Sequence, residues 1–104
     1  MLYSLFQIKV NPDALDLNEP SIKAQLEATI KGDPTLGLQG NLYVKVAEIE
    51  ATDLDNVFEI GNIGPEDHIT RIGKMHSVSV GDIIEGPDGQ RVVVASFGFD
   101  PVNN

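Results

Sequence analysis

The stretch IIEGPDGQRVVVAS, residues 83–96, constrains the fold more than any other part of the chain. Pro87 and the pair Asp88-Gly89 supply the backbone angles of a tight turn, and apolar runs flank them on both sides. Asp88 and Gly89 therefore read as a hairpin turn. Residues 91–96 become the returning strand, antiparallel to the run that begins at Ile83.

Upstream of that hairpin, MHSVSVGD (75–82) alternates at Ser77–Val80 and then breaks at Gly81-Asp82. The alternation reads as strand. The break reads as a bend, with Gly81 supplying an unusual dihedral and Asp82 bonding nearby backbone N–H groups.

Residues 2–10 also alternate. Leu2, Phe6, Ile8 and Val10 share one parity, and Tyr3, Gln7 and Lys9 share the other, which predicts a half-buried strand. The next ten residues are turn-rich. A helix is expected over 20–31: Asn18 as cap, Pro20 in the first turn, Ile22, Leu26 and Ile30 at intervals of four, and Gly32 as C-cap. Residues 32–41, with three glycines and a proline, read as loop, and 42–51 as a second long strand. Thr52 with Asp55 resembles a capping box for a short helix over 53–60 whose face is Leu54, Val57 and Phe58. Residues 68–73 fit a short strand or a turn equally.

These elements define one α+β domain over 1–104. A mainly antiparallel sheet of four or five strands is expected to pack against the 20–31 helix, with the 53–60 helix as a smaller addition.

Composition narrows the function. The chain has 104 residues, no cysteine and a net charge of −9. Disulfides, thiolate metal sites and a cysteine nucleophile are excluded. No apolar run reaches the ~18 residues of a membrane span, and the apolar start lacks the features of a signal peptide. A cytoplasmic location is expected, since a cysteine-free chain suits a reducing compartment. The acidity disfavours direct nucleic-acid binding and anionic membranes. It admits basic protein surfaces as partners, or a DNA-mimic role, beside the plain reading that charge keeps a small protein in solution.

Few residues qualify for chemistry. His76 precedes Ser77, and on a strand their side chains point to opposite faces, so they form no dyad. No nucleophile elbow and no phosphate-binding glycine loop is present. His68 and His76, with Asp82, are the components of a minor metal-dependent enzyme, at a spacing that fits no compact ligand motif. The chain is expected to be no enzyme and to need no cofactor. Between 68 and 81, Arg71, Lys74 and the two histidines occur without an acid, whereas Asp53, Asp55, Glu59, Glu66 and Asp67 precede them. Arg71, Lys74, His76 and Ser77 are therefore candidate binders of a nucleotide or another anion. Phe97 and Phe99, like Tyr3, Leu36 and Leu38, lie near loops and termini. They either anchor a partner or close the ends of the sheet.

The run His76–Ile84 (HSVSVGDII) and the later Ala95-Ser96-Phe97-Gly98-Phe99 resemble the C-terminal part of the YodL-like family. AEIEATDLDNVFEIGN (47–62) resembles the strand and short helix before it. The likeness spans residues 47–102. It departs at Val78, usually Leu or Met, and at Val92, Val93 and Val94, where aromatics are usual. The resemblance implies a small protein of a phage or mobile element that binds and modulates a host protein, inhibition and counter-defence being roles of that kind. It carries over no catalytic residue. Self-association into a homo-oligomer is also open.

Overall fold

The computed structural model describes residues 1–13 and 15–102; Ala14, in the turn-rich connection, lies outside them. Nine elements follow in order: β1 Leu2–Ile8, α1 Pro20–Lys31, α2 Thr35–Gln39, β2 Tyr43–Glu50, α3 Leu54–Asn62, β3 Ile69–Arg71, β4 Ile83–Glu85, β5 Arg91–Val94 and β6 Phe99–Pro101. A short 3-10 turn, Glu66–His68, precedes β3.

The strands form one antiparallel sheet in the order β3-β2-β1-β4-β5-β6. The sheet thus has six strands where the sequence suggests four or five. β3 resolves the 68–73 alternative as strand and β6 is the unexpected one; both are edges of three residues, too few for an alternation to register. The β4–β5 hairpin is present: Glu85 pairs with Arg91, Gly86 N–H donates to Gln90 O at 2.9 Å, and Gly89 has φ 85°.

Register explains the core. Leu5 stands opposite Ala47 on one side and Ile84 on the other, and Tyr3 stands opposite Ile49. On that face they meet Val57 and Ile60 of α3, and Val78. The buried parity of β1 is therefore Tyr3, Leu5 and Gln7, and Leu2 is half exposed. Phe6 lies on the other face, its ring 4.8 Å from the Arg91 guanidinium, which pairs with Glu85. Antiparallel sheets commonly leave one face solvated.

The helices also divide differently from expectation. The larger core lies under α3, and α1 packs at one end of the opposite face, where Ala24 and Ala28 join Ile8, Leu36, Leu42 and Tyr43. Small residues face inward from α1 because backbone approaches it closely: a Cβ on Gly81 would stand 2.6 Å from the Ala28 carbonyl carbon and oxygen. The row Leu26 and Ile30 consequently turns to solvent. Glu19, not Asn18, caps α1. Its carboxylate accepts from Ser21 and Ile22 N–H, and the expected Gly32 closes the helix at φ 67°.

Three further corrections concern local elements. Residues 35–39, within the expected loop, form α2. α3 runs to Asn62 and is capped by Asp53, which accepts from Asn56 N–H, while Asn56 Oδ1 accepts from Thr52 N–H. Residues 77–80 are not a strand.

Candidate functional site

Side chains take several backbone groups of the 75–80 segment in place of a strand partner. Gln7, buried on the central strand, accepts His76 N–H at 3.1 Å and donates to His76 O at 2.9 Å. Its amide stands in for a peptide group of a neighbouring strand. Asn62, at the end of α3, donates to Val78 O at 3.1 Å. Asp82 Oδ2 accepts Ser79 N–H and Gln7 Nε2, both at 2.9 Å. Val78 itself packs onto Gly61, where a Cβ would come within 2.2 Å of its Cγ2.

Asp82 is only 4% exposed. Burial pushes its carboxyl up to about 6, against the Ser79 N–H, the Gln7 amide and the nearby His76, which all favour the charged form. Gly81, at φ 94°, carries the turn beside it. Its N–H donates to Val94 O at 2.8 Å, and its carbonyl accepts the Tyr43 hydroxyl. Burial, and then the Asp82 charge, hold the Tyr43 phenol protonated well above its usual range.

His76 Nδ1 lies 2.7 Å from Ser77 O. A carbonyl only accepts, so Nδ1 carries a proton there. The 3.2 Å approach of Gln7 Nε2 to Nδ1 then brings two donors together and is no hydrogen bond. His76 does not engage the Ser77 hydroxyl, so no dyad forms by this route either.

A cleft of about 330 Å³ opens between the C-terminal end of α3, Arg71 on β3 and the segment Met75–Ser77, with Asn62 and Glu66 on its walls. Three candidates, Arg71, His76 and Ser77, thus share one cleft. Lys74 is exposed but does not line it. Arg71 grips Glu66 through both nitrogens, at 2.5 and 3.1 Å, and this bond holds the Glu66 carboxyl below its usual range. The anion-binding charge suggested by the sequence is therefore already met by an acid.

The remaining candidates lie elsewhere. Phe97 lies in the β5–β6 turn and Phe99 opens β6, at the sheet edge opposite Arg71. Phe97 is 96% exposed, whereas Phe99 packs against the main core. Phe99→Ala should accordingly cost about 2 kcal/mol in a denaturant titration, and Phe97→Ala less than ~0.5. Equal losses would show that this division is wrong. His68 Nδ1 contacts Glu50 O at 3.0 Å, away from the cleft. Among the described residues, no group of three His, Asp or Glu side chains is placed to hold a metal ion. A second cavity of about 400 Å³, between Met1, Tyr3, Leu54 and the 86–90 turn, is mostly apolar; its one carboxylate, Asp88, caps Gln90 N–H.

Sequence reasoning missed Gln7 and Asn62. Gln7 could have been noticed, since it shares parity with Tyr3 and Leu5. Asn62 gave no signal, because its role depends on where residues 76–79 pass.

No family model, curated protein or solved structure matches the chain. No helix among the described residues is long and apolar enough to cross a membrane.

Proposed function

We propose that this chain is a small acidic accessory protein of a phage or mobile element, as its likeness to the YodL-like family implies, that binds a host protein and inhibits it. The observation that carries this reading is the solvent side of α3 and its continuation. Phe58 and Ile63 are exposed there, Ile63 by 85%, among the acids Asp55, Glu59, Glu66 and Asp67. Apolar anchors within a polar rim are the composition of a protein-binding surface, and Ile63 lines the cleft that gathers Arg71, His76 and Ser77. Recovery of the partner from host lysate tests it. Ile63→Ser and Phe58→Ser, each with an unchanged melting temperature, should reduce that recovery at least about tenfold, equivalent to 1.4 kcal/mol. Undiminished recovery by both variants would refute the reading.

A second reading, a nucleotide- or anion-binding module, is favoured by the meeting of Arg71, His76 and Ser77 in one cleft. A nucleotide at 100 times its Kd should then stabilise the chain by about 2.7 kcal/mol, and Arg71→Ala should abolish that gain. The acidic wall of the cleft makes it the weaker of the two.

A further inference from the structure

The chemistry of the partner follows from the charges around α3; this step rests on the partner-binding reading above. No Lys or Arg occurs between Lys45 and Arg71. Asp55, Glu59 and Ile63 recur every four residues and so lie in one row, with Phe58 three residues from Asp55. Acids thus alternate with apolar side chains along a single exposed stripe.

At its C-terminal end the stripe meets the cleft. There the carbonyls of Ile60, Gly61 and Asn62 receive no N–H from any described residue, while Glu59 O takes the N–H groups of Ile63 and Gly64. Free carbonyls give a helix end partial negative charge and acceptors for an incoming donor. Glu66 adds a carboxylate on the adjoining wall, and the chain's own Arg71 shows that this carboxylate takes a guanidinium bidentately. The Glu66–Arg71 pair is exposed on both sides, and such pairs contribute little to stability. A second cation can share or replace it at small cost.

We propose that this face docks a basic amphipathic segment of its partner, with one arginine or lysine of that segment entering the cleft beside Glu66. Charge complementarity selects this occupant over the others. An anion would have to displace Glu66, face the negative end of α3 and approach a molecule of charge −9. A second copy docked through a twofold axis on this face would set the acidic row against its own equivalent, and like charges across an interface are unfavourable.

The test uses the whole chain and defined probes: an arginine–leucine amphipathic peptide of about four helical turns (~14 residues), the same peptide with glutamate replacing arginine, and inorganic phosphate. Fluorescence anisotropy should show the arginine peptide binding. The double variant Asp55→Lys with Glu59→Lys should weaken it on the order of tenfold, as should 1 M salt, where the screening length falls to about 3 Å. Glu66→Gln should weaken it less. Asp13→Lys with Asp16→Lys, equal in charge but away from α3, should have no comparable effect. Equal loss in the two double variants would show general charge attraction and overturn the proposal. So would binding of the glutamate peptide or phosphate that Arg71→Ala removes. If Ile63→Ser loses the host partner while the arginine peptide never binds, this inference fails alone. If Ile63→Ser and Phe58→Ser both keep the partner, the partner-binding reading fails with it.

Discussion

Gly81→Ala is expected to cost about 4 kcal/mol, a large part of the 5–15 kcal/mol that holds an ordinary domain together. Two penalties coincide at this residue. Its φ of 94° lies where a side chain is strained, on the order of 1–2 kcal/mol. A Cβ there would also strike the Ala28 carbonyl at 2.6 Å, and forcing extra volume into packed structure costs a further 1–3 kcal/mol or so. Backbone, unlike a long side chain, cannot swing away. Gly89 provides the control. Its φ of 85° is similar, but nothing lies within 4 Å of its Cβ position. Gly89→Ala should therefore cost only about 1 kcal/mol. Urea titrations of the two variants separate strain from collision. Similar losses would mean that α1 does not seat against the Gly81 turn as described.

The second large effect concerns pH. Asp82 has its carboxyl raised from an ordinary 3.8 to about 6 by burial. A carboxyl raised in the folded state binds its proton more tightly there than in the unfolded chain. Its contribution to stability is therefore greatest below about 4 and is lost as pH rises through 6, a change of about 3 kcal/mol. Exposed carboxylates such as Glu66, held low by Arg71, act in the opposite direction as pH falls. The difference between wild type and Asp82→Asn isolates the buried group. Wild type should gain stability relative to the variant by most of that amount between pH 7 and pH 4. A flat difference would show that Asp82 is solvated like an ordinary surface acid. Asp82→Ala should show the same pH dependence as Asp82→Asn and lie about 2 kcal/mol below it at every pH, since the Ser79 N–H and the Gln7 amide lose their common acceptor.

Local chemistry made much of this fold readable. Pro87 and Asp88-Gly89 announced the hairpin, and Pro20 and Gly32 marked the ends of α1. Their signals depend on dihedral angles, which neighbours in sequence determine. Features that depend on distant partners were not readable. The alternation of Ser77–Val80 looks like a strand, but Gln7, Asn62 and Asp82 occupy its backbone groups with side chains, and no strand pairs there. The isoleucines and leucine of α1 look like a core face. Gly81 instead brings backbone against Ala28, and only small residues fit beneath. Of the site, the sequence marked Arg71, His76 and Ser77 as related. It did not reveal that Glu66 neutralises Arg71, because their pairing depends on the chain passing through the 3-10 turn before it enters β3.

Photo-crosslinking tests partner recognition through α3 most directly, because two exposed aromatics sit apart on the fold: Phe58 on α3 and Phe97 at the β6 edge. Each can be replaced by p-benzoylphenylalanine without touching a fully buried side chain. Irradiation in host lysate should yield one discrete crosslinked partner from position 58 and none from position 97, and an excess of the arginine–leucine peptide should suppress it. A discrete adduct from position 97 alone would contradict the account and move the recognition surface to the opposite edge of the sheet.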